Sequence, residues 1–296
     1  MTRRERSAFT GPNRTGEQRL SFQPKLVRRD LTVARVEDIT PRYRRIVLTG
    51  EVLAEGYPFV RFACNDHVKA YFPDPRTGHI VAYHETGFDE WILDEVEGEP
   101  FRRDYTPRAW DAAARELTLD FVIHEHGIAA AWARAAEPGD QLVVMGPRAN
   151  WLLPENYSHY WGIGDETALP AISRLIEEAP AGAHVTAMIE IADAREEQAL
   201  EPAPGVTLDL IWVHRDSVPA DEEPGRALLE TVRHAPAPGN ADDLFVFAAG
   251  ETTAMKSIRD HLRRDLGLPK RQVAVDGYWK RGIADHDHHT NDFDDG

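Results

Sequence analysis

The sequence predicts a two-domain β + α/β protein, an antiparallel β-barrel domain followed by a parallel-sheet α/β domain. Three observations carry this. Before about residue 155, apolar residues recur with period two in short segments separated by turn signals. After it, apolar strands alternate with helical patterns, as parallel α/β domains require. The length, 296 residues with 42% hydrophobic content, suits two cores of ordinary size.

In the first half, Leu31 and Val33, Ile46 and Leu48, Val68, Ala70 and Phe72, then Leu117, Leu119, Phe121 and Ile123 mark half-buried strands. Thr49-Gly50, Pro73-Asp74-Pro75, Gly98 with Pro100, and Pro138-Gly139-Asp140 supply the turns between them. In the second half, a strand over 159–163 leads into a helix over 168–179. Strands follow near 185–191, 208–213 and 244–248. A second helix carries Met255, Ile258, Leu262 and Leu266 on one face, with Gly267 placed as its stop. The expected divisions are a flexible arm over 1–24, a first domain over 25–154, a second over 155–284, and a flexible tail over 285–296. The tail holds Asp285, His286, Asp287, His288 and His289, a set able to capture a metal but more simply a solvated end.

Composition narrows the chemistry. A formal charge of −16 speaks against nucleic-acid binding and against anionic membranes. No run approaches the roughly 18 apolar residues of a membrane span, and Arg3-Arg4 is followed by polar residues where an export signal needs an apolar stretch. The expectation is a cytoplasmic protein, monomeric or weakly oligomeric. The lone cysteine, Cys64, reads as a small core or edge residue. It cannot supply the roughly four thiolates of an iron–sulfur cluster, so any electrons must pass through a bound cofactor. No strong transition-metal site is evident in the folded part.

Arg103-Asp104-Tyr105-Thr106 brings a guanidinium, an aromatic ring and a hydroxyl within four residues. If extended, Arg103 and Tyr105 project to one face. A flavin dinucleotide asks for that mix: a cation for the diphosphate, a ring against the isoalloxazine and a hydrogen bond near its reactive nitrogen. Residues 120–132, DFVIHEHGIAAAW, follow, then PGDQLVVMGPR (138–148), GDETALPAI (164–172), AAGETTAMKSIRDHLR (248–263) and DGYWKRG (276–282).

With RRDYTPR (102–108), which is similar to the R-x-Y-T-x-R flavin signature, these blocks resemble the siderophore-interacting proteins, a branch of the ferredoxin-reductase-like flavoproteins. The resemblance spans about residues 25 to 283. It implies a flavin-binding barrel, a nicotinamide-binding α/β domain, and reduction of a ferric siderophore by NADH or NADPH through FAD. It assigns FAD to Arg103, Asp104, Tyr105 and Thr106, and the FAD diphosphate to Gly127, Ile128, Ala129 and Ala130. That second assignment makes physical sense, since a helix opened by small residues presents unpaired N–H groups. His124 would reach the flavin or its ribose, or be a structural histidine. Trp279 would cover the flavin or close the interdomain core. Asp165, Glu166, Thr167, Gly250 and Glu251 would lie under the nicotinamide nucleotide. The family's GDETALPAI-like block usually begins with Ala where this chain has Gly164, a change conservative in size.

Lys69, Lys280 and Arg281 are the candidate cations for an anionic siderophore. Arg195 and Arg215 follow two strands where a 2′-phosphate would be read, although Asp193, Glu196 and Glu197 crowd the first. Two alternatives stay open, a flavin reductase that releases reduced flavin and a non-catalytic siderophore-binding protein.

Overall fold

A computed structural model describes residues 11–23, 25–86, 90–217 and 225–283. The chain divides into two units, Leu20–Trp151 and the chain from Leu152 onward, to which the described residues before Leu20 also belong.

The first unit contains β1 (Arg19–Phe22), β2 (Arg28–Thr40), β3 (Tyr43–Thr49), β4 (Val68–Phe72), β5 (Tyr83–Glu85), β6 (Trp91–Leu93), β7 (Phe101–Tyr105), β8 (Pro107–Asp111), β9 (Glu116–Val122), α1 (Ile128–Ala135), β10 (Gln141–Met145) and β11 (Ala149–Leu152). Seven strands pair antiparallel in the order β7-β4-β10-β2-β3-β9-β8. The two edge strands are β7 and β8, and only Thr106 separates them in the chain. The sheet must therefore curl until its two edge strands approach each other at Thr106, as an open half-barrel. The period-two positions point inward: Leu31, Ile46, Leu48, Val68, Ala70, Phe72, Leu117, Leu119, Phe121, Leu142 and Val144 form one buried core. Helix α1 packs Ile128, Ala129 and Trp132 onto it. Cys64 is fully buried.

The second unit is a five-stranded parallel sheet, β14-β13-β12-β15-β16, formed by β12 (His159–Asp165), β13 (His184–Ile191), β14 (Thr207–His214), β15 (Leu244–Glu251) and β16 (Val273–Trp279). Its helices are α2 (Leu169–Glu178), α3 (Arg226–His234) and α4 (Thr252–Asp260). Every residue of β15 is buried, which is why it reads as a continuous apolar run without alternation. The second predicted helix holds, with a π-helical turn over His261–Asp265 before Gly267 at φ +68°. The sequence reading did not identify α3, whose core-facing signal is only Leu228 and Val232.

Two expectations are corrected here. Residues 11–23 are not a flexible arm. Asn13 is 1% exposed, its amide donates to the carbonyls of Glu17 and Leu152, and Tyr157 Oη donates to Gly16 O at 2.7 Å. Strand β1 then pairs with β11. The predicted tail lies outside the described residues.

Alanine, moreover, is not interchangeable with glycine at 164. A Cβ there would stand 2.4 Å from Ala249 O and 2.7 Å from Ala168 Cβ. Backbone cannot yield as a side-chain tip can, so Gly164→Ala should cost about 1–3 kcal/mol of stability. Gly239→Ala, at a position with no atom within 4 Å, should stay within about 0.5 kcal/mol. Denaturant unfolding of both variants decides it, and equal midpoints would refute the packing argument.

Candidate functional site

In the first unit, the site is assembled at the seam of the barrel. Strand β7 lies against β4 with Tyr105 opposite Val68, Asp104 opposite Lys69 and Arg103 opposite Ala70. Alternation along β7 puts Phe101, Arg103 and Tyr105 on the core face, as expected for the last two. The half-buried ring of Tyr105 lies 4.4 Å from Phe121 and 6.1 Å from Phe72, centroid to centroid. These apolar surroundings push its phenol pKa up. Arg103 donates to Arg102 O at 2.6 Å, and Thr106 is 7% exposed at the junction of the two edge strands.

Asp104 and Lys69 occupy the opposite face, with Arg102 and Tyr71. Lys69 Nζ donates to both oxygens of Asp104, at 2.9 and 3.1 Å. The sequence reading, which expected Asp104 to serve FAD and Lys69 an anionic substrate, did not foresee this pairing. The two bind each other because the register sets them side by side.

Gly127 opens α1 at φ +90°, a conformation that favours glycine, and no side chain caps the helix. The first N–H groups of α1 therefore lack intrahelical partners, with the small residues Ala129 and Ala130 around them. His124 lies alongside, its Cε1 3.6 Å from where a Gly127 Cβ would stand. Burial lowers its pKa, aided by His126 and Arg134, so it is held toward the neutral form. Arg103, Thr106, the uncapped helix end and the neutral imidazole fit a diphosphate-bearing flavin.

One nearby strip escaped the sequence reading. Arg45 grips Asp120 through two bonds of 2.8 Å, and Arg108 stands 3.8 Å from the same carboxylate. Two cations thus converge on one acid. Arg108 was in view as the last residue of the R-x-Y-T-x-R spacing; nothing in the sequence pointed to Arg45.

In the second unit, the chain runs outward from β12 in one direction through β13 and β14, then in the other through β15 and β16. The reversal falls between β12 and β15, and open α/β sheets bind ligands outside the carboxyl ends of strands at such a point. Asp165, Gly250, Glu251 and Trp279 meet there. Asp165, 4% exposed, accepts from Thr167 N (2.9 Å), Thr167 Oγ1 (2.5 Å), Glu251 N (2.9 Å) and Trp279 Nε1 (2.8 Å). Four donors fill the acceptor capacity of a carboxylate. Burial nonetheless raises its pKa and Glu166 adds to the rise, against the lowering bonds from Thr167 and Trp279. Gly250 permits this approach, since its Cβ would lie 2.7 Å from Asp165 Oδ2.

Glu251 caps α4 by accepting from Thr253 N (2.6 Å) and Ala254 N (2.9 Å), and also accepts from Arg281 N at 3.2 Å. Glu166 receives both Nη groups of Arg215, and Arg215 Nη1 also donates to Glu190 at 3.2 Å. The three carboxylates expected under a nucleotide are thus engaged by protein donors, and the backbone of the turn is what remains to meet one. Arg215 sits between two acids, and Arg195 pairs with Asp193 at 2.7 Å. Lys280 and Arg281 follow β16, with Arg281 exposed. Among the described residues no group of metal-ligating side chains is assembled, and no helix is long and apolar enough to cross a membrane.

Comparison with known proteins agrees with this division. Residues 32–151 match the siderophore-interacting FAD-binding domain and residues 157–282 the siderophore-interacting protein domain. The crystal structure of a siderophore utilization protein from T. fusca is similar at 42% identity and a TM-score of 0.80, covering 92% of this chain and 100% of that one. An NADPH-dependent ferric-chelate reductase of Escherichia coli is 34% identical over 85% of this chain and 92% of its own length. A ferric vibriobactin reductase of Vibrio cholerae is 30% identical over 88% and 92%.

The Arg215 cluster makes a pH-dependent prediction. Burial raises the pKa of Glu190 in the folded state, with Arg215 opposing the rise. An acid raised on folding favours the folded state at low pH, and that contribution is lost as pH climbs through its folded pKa. Arg215→Met removes the counter-charge and raises that pKa further. With Arg215 30% exposed, the loss should be about 2 kcal/mol or more at neutral pH. The deficit should narrow toward pH 5. Melting temperatures across that range test it, and a deficit independent of pH would contradict it.

Proposed function

The chain belongs to the siderophore-interacting protein family, and from that premise we propose that it is an FAD-containing, NAD(P)H-dependent ferric-siderophore reductase. It reduces chelated Fe(III) to Fe(II) for intracellular iron release. The observation that carries this reading is the seam of the barrel, where Arg103, Tyr105 and Thr106 stand in the unit that matches a siderophore-interacting FAD-binding domain.

When bound, FAD accepts an electron pair as hydride and passes electrons singly to iron, chemistry that no side chain here supplies. The residues provide binding and orientation. Arg103 and the uncapped N–H groups after Gly127 neutralise the diphosphate. Thr106 offers a hydroxyl at the junction of the edge strands, and His124, kept neutral, accepts or donates a hydrogen bond without adding charge. The Gly164–Thr167 turn and Gly250 receive the nicotinamide nucleotide through their backbone. Arg195 and Arg215 are paired with acids, so neither is assigned to a 2′-phosphate. NADPH, for which the Escherichia coli relative is named, is the donor to test first. Lys280 and Arg281 capture the anionic chelate, which carries the iron itself. A cytoplasmic protein, monomeric or weakly oligomeric, with domains near 25–154 and 155–284, completes the proposal.

The purified protein should be yellow with one FAD per chain. Arg103→Ala should weaken FAD retention by about ten-fold or more, the worth of a charged hydrogen bond, with little change in melting temperature. Equal loss of both would make Arg103 structural. Anaerobic mixing with NADPH should bleach the flavin, and ferric catecholate should restore it; a flavin that NADPH leaves oxidised would defeat the reductase reading.

Lys280→Glu should raise the Michaelis constant for an anionic ferric catecholate more than for a neutral hydroxamate. Added salt should act likewise, over a screening length of about 8 Å at physiological strength. Equal responses of the two chelates would remove the cationic site from the reading.

A further inference from the structure

The turn after β16 is held by buried groups from other elements. Lys280 and Ile283 form an antiparallel bridge, and Ile283 N donates to Lys280 O at 3.1 Å. Gly282, at φ +77°, fills the third position, where such a turn takes a left-handed residue. Four residues closed this way have little to fix their direction by themselves. Three bonds supply it: Trp279 Nε1 to Asp165 Oδ2 at 2.8 Å, Thr252 Oγ1 to Trp279 O at 2.9 Å, and Arg281 N to Glu251 Oε1 at 3.2 Å. The register shift between Gly250 and Glu251 brings Trp279 opposite Glu251 and so over the switch point.

We propose that Asp165 is a positioning residue for the anionic substrate, acting through the Trp279 indole to fix the turn that carries Lys280 and Arg281. This rests on the reading that those two cations take the ferric chelate. Its physical basis is preorganisation. A chelate captured by a fixed pair of cations avoids the ordering cost that a loose turn imposes. The bond also ties the end of β12, on the nucleotide turn, directly to the side chain that closes β16. Asp165→Asn exchanges an acceptor oxygen for an NH₂ group and sets donor against donor, toward either the indole or a backbone N–H. Trp279→Phe removes only the indole N–H and keeps a ring.

The probe is gallium tris-catecholate, a redox-inert trianion, titrated into the oxidised holoprotein. Asp165→Asn and Trp279→Phe should each raise its Kd by about five-fold, the worth of one hydrogen bond. The double variant should bind no more weakly than the weaker single variant, because both remove the same contact. A neutral gallium hydroxamate, titrated in parallel, should bind within about two-fold of wild type in either variant, because it gains little from a fixed pair of cations. Lys280→Glu, run in parallel, tests the underlying site. If it weakens gallium binding while both clamp variants bind like wild type, Asp165 has no positioning role. If it leaves binding unchanged, the site and the inference fall together. Equal losses for the anionic catecholate and the neutral hydroxamate would show a general structural role and overturn the proposal. Should Asp165→Asn lose its fold, Trp279→Phe alone decides.

Discussion

A carboxylate placed where water cannot reach must find its donors inside the protein, and the second unit is organised around meeting that need for Asp165. Its four donors come from the turn into α2, the end of β15 and the end of β16. Two residues without side chains make the arrangement possible. Gly164 lets β12 approach the Ala249 carbonyl, and Gly250 lets the Asp165 carboxylate approach β15. The crevice in which such sheets bind ligands is thereby given a rigid floor. The same bonds carry that rigidity to the segment after β16.

The barrel meets a different constraint. Its flavin motif spans the point where one edge strand becomes the other, so Arg103 and Tyr105 are held by pairing with β4, Tyr105 also by the core, and Thr106 is buried at the junction. Tyr105 belongs to a cluster with Phe72, Phe121 and Trp132, which joins the motif to α1 and hence to Gly127. Elements separated in sequence are thus fixed against one another by aromatic packing, as a cofactor with distant functional ends requires.

Charge is distributed by pairing. At a formal charge of −16, acids outnumber cations, 50 to 34. Lys69 is engaged by Asp104, Arg215 by Glu166 and Glu190, and Arg195 by Asp193. Asp120 is approached by two cations, Arg45 and Arg108. The −16 total therefore describes the mean field around the molecule, while each binding residue answers to its own partner.

The sequence by itself determined, through apolar periodicity, the division into an antiparallel β unit and a parallel α/β unit, while α3, with only Leu228 and Val232 buried, escaped it. Its Arg-x-Tyr-Thr spacing and the glycine that opens α1 carried the resemblance to a flavoprotein family, because these signals are local and survive in a single chain. It misjudged residues 11–23, whose polar composition conceals Asn13 and the bond from Tyr157 to Gly16. It also misjudged Gly164, whose need for no Cβ arises from a carbonyl 85 positions away. Only the tertiary structure decided which charged residues bind one another. Lys69 meets Asp104 through strand register, and Asp165 meets Trp279 across 114 positions. Pairings of that kind depend on how strands are laid side by side, and no periodicity along one strand encodes its neighbour.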